Sequence, residues 1–430
     1  MAGIHLHPHD IIDEGPGRIL ELIGRMGKVE YLFPEVNTIF ERNPYPSGRL
    51  PHNPVREFVQ GYGTLHVRVN PESVYAPLRQ KVDETMRSGD SDPLARIKEA
   101  VEGTDYRTIP WVNLLNGHFE GDLASNGVVD FRGRPVEHWL CPNGPDVVPI
   151  WSAMLAEMTK RYGYETYLID RIRYPDWAGL EVRPSGIFSC FCPNCVDKMA
   201  AEGIATIRLL EEMQQVASLL REQSFKKAVE LMGQSNRIRQ WVRFRQDSVS
   251  AFVERLAAAT SALNPSIRLW LDLWPPSYSW LLGQDYGRLT RTSDTLKHFP
   301  YHKLGGGADV QGFIDYFART SEQREEAFRA FLKFFNLDYD LSYSTFRQKG
   351  YPIEFVRNEN DKARTLSAPG TKIFSGVQMW NLSPDDLKLA VLAARASEAD
   401  DVLYYCYGWA DEELFDAVGV SGGGQHNRIR

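Results

Sequence analysis

Eight short apolar runs punctuate the chain, at residues 3–9, 29–37, 108–116, 165–171, 267–274, 296–303, 372–380 and 401–407. Between them the apolar positions recur at helical spacing, most clearly over 17–26, 93–102, 150–161, 248–261, 322–335 and 384–398. The last of these opens with Ser383-Pro384-Asp385-Asp386. It supplies a capping side chain, a proline where no backbone donor is needed, and two acids where the helix dipole favours them. Alternating strands and helices are the mark of parallel βαβ units, and eight such units close a (β/α)8 TIM barrel, an α/β fold. A doubly wound open sheet shares the alternation, but no GxGxxG follows the first run.

Two connections are much longer than usual, residues 41–103 after the second run and 182–246 after the fourth. The first contains Asn43-Pro44-Tyr45-Pro46 and a hairpin pattern around 66–74; the second holds a cysteine cluster and amphipathic helical stretches. Long connections of this kind usually rim a functional face. The expected organisation is one catalytic domain over 1–420 with these two insertions, then a glycine-rich disordered tail at 421–430.

Charge narrows the partners. The 430 residues carry 49 basic and 56 acidic side chains, a net charge of −7, with neither sign gathered in a block. That balance disfavours nucleic acid and anionic membranes as partners. The chain opens without a signal-peptide pattern, and no apolar run reaches the ~20 residues a bilayer demands, so a cytoplasmic protein is expected. A homo-oligomer is compatible with such a surface.

Parity along the strands selects candidate chemistry, because alternate side chains enter a barrel and strand C-terminal ends form its active site. In Arg268-Leu269-Trp270-Leu271-Asp272-Leu273 the leucines face the helices and Asp272 turns inward; Asp170 holds the same position in Tyr167-Leu168-Ile169-Asp170-Arg171. Two inward carboxylates at neighbouring strand ends are what hydrolysis of an acetal requires, one to protonate the leaving oxygen and one to attack or to activate water. The competing assignment is a structural ion pair with Arg171 or Arg173. Glu35 and Glu41, at or beyond the second run, are alternatives for the second carboxylate.

The segment Leu168-Ile169-Asp170-Arg171-Ile172-Arg173-Tyr174-Pro175, with Cys141-Pro142-Asn143 upstream, resembles the fourth-strand region of bacterial TIM-barrel proteins grouped with the glycoside hydrolases. The likeness continues through Gly376-Val377-Gln378-Met379-Trp380 and Ser383-Pro384-Asp385-Asp386-Leu387, and so covers most of the barrel. It implies glycoside chemistry and names no substrate.

Cys190-Phe191-Cys192-Pro193-Asn194-Cys195 is a CxCxxC cluster, and Cys141 stands 49 residues before it. Four thiolates suit a closed tetrahedral Zn2+ site with a structural role; reduced, buried thiols are the alternative. The arrangement is similar to the structural zinc site of family 42 β-galactosidases. The Asn-Glu pair that supplies the acid/base there is replaced here by Asp170-Arg171, which separates this chain from that activity. Cys406, among the apolar residues of the eighth run, reads as core. No organic cofactor is implied.

His5, His7 and His9 alternate on the first run and are expected on one inward face, the HxH spacing with which amidohydrolase barrels hold a catalytic metal. The rest of that ligand set is poor: the fourth run lacks lysine and the fifth offers Asp272. Hydrogen bonding to sugar hydroxyls or to neighbouring carboxylates is the favoured role for His5 and His7, and His302 joins them from the sixth run. Trp274, Trp380, Tyr407 and Trp409 at run ends can stack on sugar rings, and Gln378, Asn37 and Arg171 can bind hydroxyls. His52 and Arg56 read equally well as subsite or solvated loop, and Gly305-Gly306-Gly307 as a turn. The expected function is a glycoside hydrolase acting on a small glycoside or oligosaccharide. The alternatives are a metal-dependent amidohydrolase or lyase built on the first-strand histidines, and a sugar-binding barrel without catalysis.

Overall fold

The computed structural model describes residues 2–41, 48–69, 77–84, 92–177, 186–305 and 310–421. Every expected run forms a strand: β1 Ala2–Leu6, β2 Tyr31–Pro34, β3 in two pieces (Arg107–Thr108 and Trp111–Asn113), β4 Thr166–Asp170, β5 Arg268–Leu273, β6 Thr295–His298, β7 Lys372–Gln378 and β8 Asp401–Tyr405. All pair in parallel in one sheet. Its order is Arg107–Thr108, β2, β1, β8, β7, β6, β5, β4, Trp111–Asn113. The two ends of the sheet are thus the halves of β3, the first bound to β2 and the second to β4. Pro110 lies between them, where its missing N–H costs no ladder bond, and its carbonyl accepts Leu168 N at 2.9 Å. The parallel sheet curls into a TIM-like barrel.

The alternation of side chains sorts the strands into two faces. Outward residues such as Ile4, Leu6, Leu32, Val377, Val402 and Tyr404 pack beneath the surrounding helices, and inward Tyr31, Phe33, Ile109, Leu168, Phe374 and Leu403 fill the base of the barrel. Trp270 stacks on Phe374 with centroids 5.7 Å apart. Gly3 makes room for this layer, since a Cβ there would sit 2.6 Å from the Phe33 ring. Burial of each large apolar side chain contributes about 1.5–3 kcal/mol, so the aromatic floor is a rigid base for the mouth above it.

The helices that matter below are α1 Pro8–Asp13, α2 Gly15–Arg25, α3 Pro93–Ala100, α4 Val147–Tyr162, α5 Pro193–Ala201, α6 Thr206–Arg221, α7 Phe225–Gln234, α8 Asn236–Leu263, α9 Ser321–Phe334 and α10 Pro384–Arg395. Ser383 caps α10 as its sequence predicts, accepting Asp386 N at 3.1 Å. Helices α5 to α8 all fall between β4 and β5. Between β2 and β3 the chain forms an antiparallel pair, Phe40–Glu41 with Gly61–Tyr62. The expected hairpin at 66–74, the Asn43–Pro46 loop, most of the glycine run at 305–307 and the tail after 421 lie wholly or partly outside the described residues. Among the described residues no helix is long and apolar enough to cross a membrane.

Every strand stops short of the end of its apolar run, and two of these ends move a histidine off the sheet. β1 ends at Leu6 because Pro8 begins α1, with His7 at its cap and the His7 N–H bound to Asp10 Oδ2 at 2.7 Å. His9 is therefore helical, and the three histidines do not alternate along one strand. β6 ends at His298, which places His302 in the following loop rather than on the strand.

Candidate active site

At the C-terminal mouth of the barrel the inward positions turn from aromatic to ionisable. Asp170 closes β4, and its Oδ2 accepts Trp111 Nε1 at 3.2 Å while Oδ1 accepts its neighbour's N–H, from Arg171, and lies 3.4 Å from Arg173. The carboxylate is thus set among donors. Asp272, one position before the end of β5 and 1% exposed, is held through Oδ2 by Lys297 Nζ at 2.8 Å. Its Oδ1 is buried without a hydrogen-bond partner among the described residues. Burial pushes the Asp272 carboxyl up to about 7; Lys297 opposes the rise and the neighbouring Asp170 adds to it.

A third carboxyl joins them. Glu35 follows β2, bridges to Trp111 through the backbone, and accepts Asn113 Nδ2 on Oε1 at 2.9 Å, leaving buried Oε2 unpartnered among the described residues. Burial holds its carboxyl well above the usual range; the Asn113 hydrogen bond offsets this and Asp170 and Asp10 reinforce it. The mouth therefore contains one carboxyl supplied with donors and two kept in environments that favour the protonated form. Of the alternatives read from sequence, Glu35 is at the mouth; the Glu41 side chain lies outside the described part.

Aromatic side chains gather at this mouth, Tyr301 and Tyr405 beside Lys297. Tyr301 and Tyr405 stack at 6.0 Å, Trp380 meets Tyr301 edge-on at 5.0 Å, and Trp409 meets Trp380 at 5.6 Å. The Tyr301 hydroxyl is buried without a partner among the described residues, and Asp272 and Asp170 both help to hold it in its neutral form, after burial. Gln378 is inward on β7, but its Oε1 accepts Lys303 N at 3.0 Å and its Nε2 donates to Trp380 O at 3.1 Å. It braces the Trp380 loop.

The remaining expected residues divide between this mouth and the structure around it. His5 is inward and fully buried, 4.5 Å from Trp111 and 5.2 Å from Tyr405 by ring centroids, and burial drives it well towards the neutral form. His7 lies at the rim, 5.3 Å from Trp409. Asn37 is spent on the fold: its amide donates to Gln80 Oε1 at 2.9 Å and Asn113 O at 2.6 Å, and Oδ1 accepts Asn113 N at 2.9 Å. Arg171 has a φ of 55° and reaches Asp176 at 3.4 Å. Trp274 is buried edge-on against Trp177 at 4.9 Å, with Arg173 5.1 Å over its ring. His302 sits in the loop after β6, its carbonyl accepting Tyr351 N at 2.6 Å, and burial depresses it to about 4. His52 joins Glu14 Oε2 at 3.0 Å and Arg56 joins Asp13 at 2.9 Å, so both tie the long loop down onto the α1–α2 region.

Sequence reasoning missed Lys297, Tyr301 and Tyr405. The signal for Lys297 was available, since a lysine between Leu296 and His298 in an apolar run has the parity of an inward position. His298 faces the other way, with Nε2 2.7 Å from Asn360 Oδ1.

The four cysteines converge away from the mouth. One sulfur from each of Cys141, Cys190, Cys192 and Cys195 lies within 4.8 Å of the others, and all four residues are buried. Cys141 and Cys195 are 3.4 Å apart, and backbone N–H groups of Val129, Asn143 and Cys192 each approach a sulfur at 3.4 Å. Backbone donors aimed at sulfur suit thiolates, and the tight tetrad fits a metal ion with no open position. Cys406 is apart from them and buried.

The fold at this mouth is a TIM-like barrel, and solved structures similar to it include glycoside hydrolases. The PgaB (BpsB) glycoside hydrolase domain from Bordetella bronchiseptica superposes with a TM-score of 0.56 at 10% identity, over 98% of this chain and 97% of that one. A β-galactosidase from the psychrophilic Marinomonas ef1 gives 0.53 at 11% identity, over 98% of this chain and 58% of that one. The catalytic domain of a β-amylase from Paenibacillus polymyxa gives 0.51 at 10% identity, over 97% and 94%. At these identities the likeness is one of fold. No protein-family model matches the chain, and no curated protein matches it.

Proposed function

We propose that the chain is a glycoside hydrolase acting on a small glycoside or oligosaccharide, with Asp170 as nucleophile or general base and Asp272 as general acid. The observation that carries this reading is the contrast between the two carboxyls. Asp170 is set among Arg173, the Trp111 indole N–H and a backbone N–H, which suits an anion, whereas Asp272 is pushed up to about 7 and keeps one oxygen free. A raised carboxyl beside one set among donors can divide acid and base roles at an acetal. Trp380, Trp409 and Tyr405 offer faces on which a sugar ring stacks, and Glu35 is the reserve acid. The glycoside hydrolase neighbours support the class and leave the substrate open.

Residues 1–420 form one catalytic unit in this reading, with the long connections selecting substrate. The Cys141, Cys190, Cys192 and Cys195 tetrad binds one Zn2+, which cross-links the loop after β3 to the start of α5. The buried Arg245, 4.6 Å over the Trp241 ring, is among the groups the thiolates act on electrostatically and supplies counter-charge to an anionic tetrathiolate. A reduced tetrad of this kind fits the cytoplasm.

The test is turnover of a panel of aryl glycosides by the purified protein and by Asp170→Asn. The wild type should release aglycone from at least one member. Asp170→Asn should lose roughly 10³-fold or more in kcat while its circular dichroism is unchanged, because no other group in the mouth replaces the anion. Undiminished turnover in that variant would remove Asp170 from the mechanism.

A further inference from the structure

At the start of α1, three side chains bring buried, unpartnered donor atoms close together. One ligand atom from each of His7, His9 and Asp10 lies within 4.8 Å of the other two, and all three residues are buried. His7 Nδ1 is 3.9 Å from Asp10 Oδ2, and His9 Nε2 is 3.3 Å from Asp10 Oδ1. Donors held about 2.0–2.2 Å from one tetrahedral ion stand about 3.4 Å apart, and the spacing of His9 Nε2 from Asp10 Oδ1 matches the edge of such a coordination shell.

His7 Nδ1, His9 Nε2 and Asp10 Oδ1 are all buried, and none has a hydrogen-bond partner among the described residues. The His9 nitrogen and the Asp10 oxygen are within reach of one another, yet their approach does not follow a hydrogen-bond direction. Two ligands of a common ion meet in just that way, each pointing past the other. Three convergent unsatisfied polar atoms are costly to bury, and a cation satisfies all of them at once.

The backbone holds the set in place. Pro8 starts the helix, which swings His9 round to stack on His7 at 5.1 Å, and the His7 N–H fixes Asp10 through Oδ2 at 2.7 Å so that Oδ1 is left for a ligand. Gly408 closes over this oxygen from the turn after β8: a Cβ there would lie 2.2 Å from Asp10 Oδ1. His7 and His9 keep 6% and 7% exposure, an edge through which an ion can enter.

We propose that His7, His9 and Asp10 bind a divalent first-row transition ion of the Zn2+ or Co2+ kind at the rim of the barrel. Two imidazoles and one carboxylate are a borderline donor set, suited to such ions and not to Ca2+ or Mg2+. His5 is outside the set, so the metal-binding pair is not the His5/His7 pair that HxH spacing suggests. This site is independent of the glycosidase reading and of the cysteine tetrad.

Metal-free protein loaded with Co2+ tests it, with stoichiometry and spectra as the readouts. With both sites filled, the wild type binds two ions; His9→Gln and Asp10→Asn each lose one ion and keep the intense sulfur-to-cobalt charge-transfer band. X-ray absorption of the Zn2+-loaded wild type requires no variant to fold, and should show nitrogen or oxygen neighbours alongside sulfur. One ion with nitrogen and oxygen neighbours alone supports this site and removes zinc from the tetrad. Sulfur neighbours alone, or variants that bind as many ions as the wild type, would overturn the proposal.

Discussion

Asp272 is the side chain on which the proposed chemistry turns, and its environment gives the pH dependence a definite sign. A general acid must carry its proton, so kcat/KM should fall as pH rises through about 7, the value to which burial raises Asp272 in the free protein. Lys297 acts against that rise from 2.8 Å. Replacing it in Lys297→Met removes the opposing charge, and the alkaline limb of the profile should move to higher pH. A profile whose alkaline limb stays put in that variant would take Asp272 out of the acid role. Strand-end position and parity made the placement of Asp170 and Asp272 at the mouth legible, because a period of two leaves no other face for them. Lys297 escaped because its charge disguised a buried position, and only the salt bridge shows what neutralises it. The alternation of the three histidines was misread for another reason: helix α1 begins inside the apolar run, so a strand's alternation was applied to a helical turn.

At the scale of elements, the strands meet with little slack. Gly376 in β7 faces β6, where a Cβ would come 2.6 Å from the His298 carbonyl and 2.9 Å from Phe299 Cα. Both are backbone atoms, so neither can rotate away. Gly376→Ala should cost roughly 1–3 kcal/mol of stability as an overpacked core position, read from the urea midpoint; an unchanged midpoint would mean that β6 yields. The tetrad joins elements in a different manner. Cys141 follows β3, and Cys192 and Cys195 open α5, so removing the proposed zinc should loosen the connection after β4 without opening the barrel. Chelation under denaturing conditions followed by refolding without metal should lower Tm and increase proteolysis around 186–205, while zinc restores both. No change in either would return the cysteines to simple packing. Element ends were less legible than element existence. Pro8 and the loop after His298 cut short runs that hydropathy alone extends, since an apolar loop residue covering a barrel mouth looks like one more strand residue.

At the scale of the molecule, the repeat itself carried the fold. Eight apolar runs separated by helical periods leave few ways to bury every strand on both faces, and the observed sheet order follows the chain around the ring. The long connection between β4 and β5 was harder to read, because α6, α7 and α8 bury their apolar faces against one another and against α4 and α9 as well as the barrel. Such packing has the same sequence pattern as packing on the sheet.

The ring has one seam that time exposes. Ala2 lies opposite Val402 and Ile4 opposite Tyr404, so the barrel's first strand along the chain pairs with its last. Until β8 arrives, β1 and β7 each present a row of unanswered backbone donors and acceptors, open to pairing with another chain. Closing a contact of such long sequence separation is slow, which leaves the incomplete barrel exposed to association with other chains until it closes. The yield of soluble protein should therefore depend on how fast the chain is made as well as on how stable it becomes.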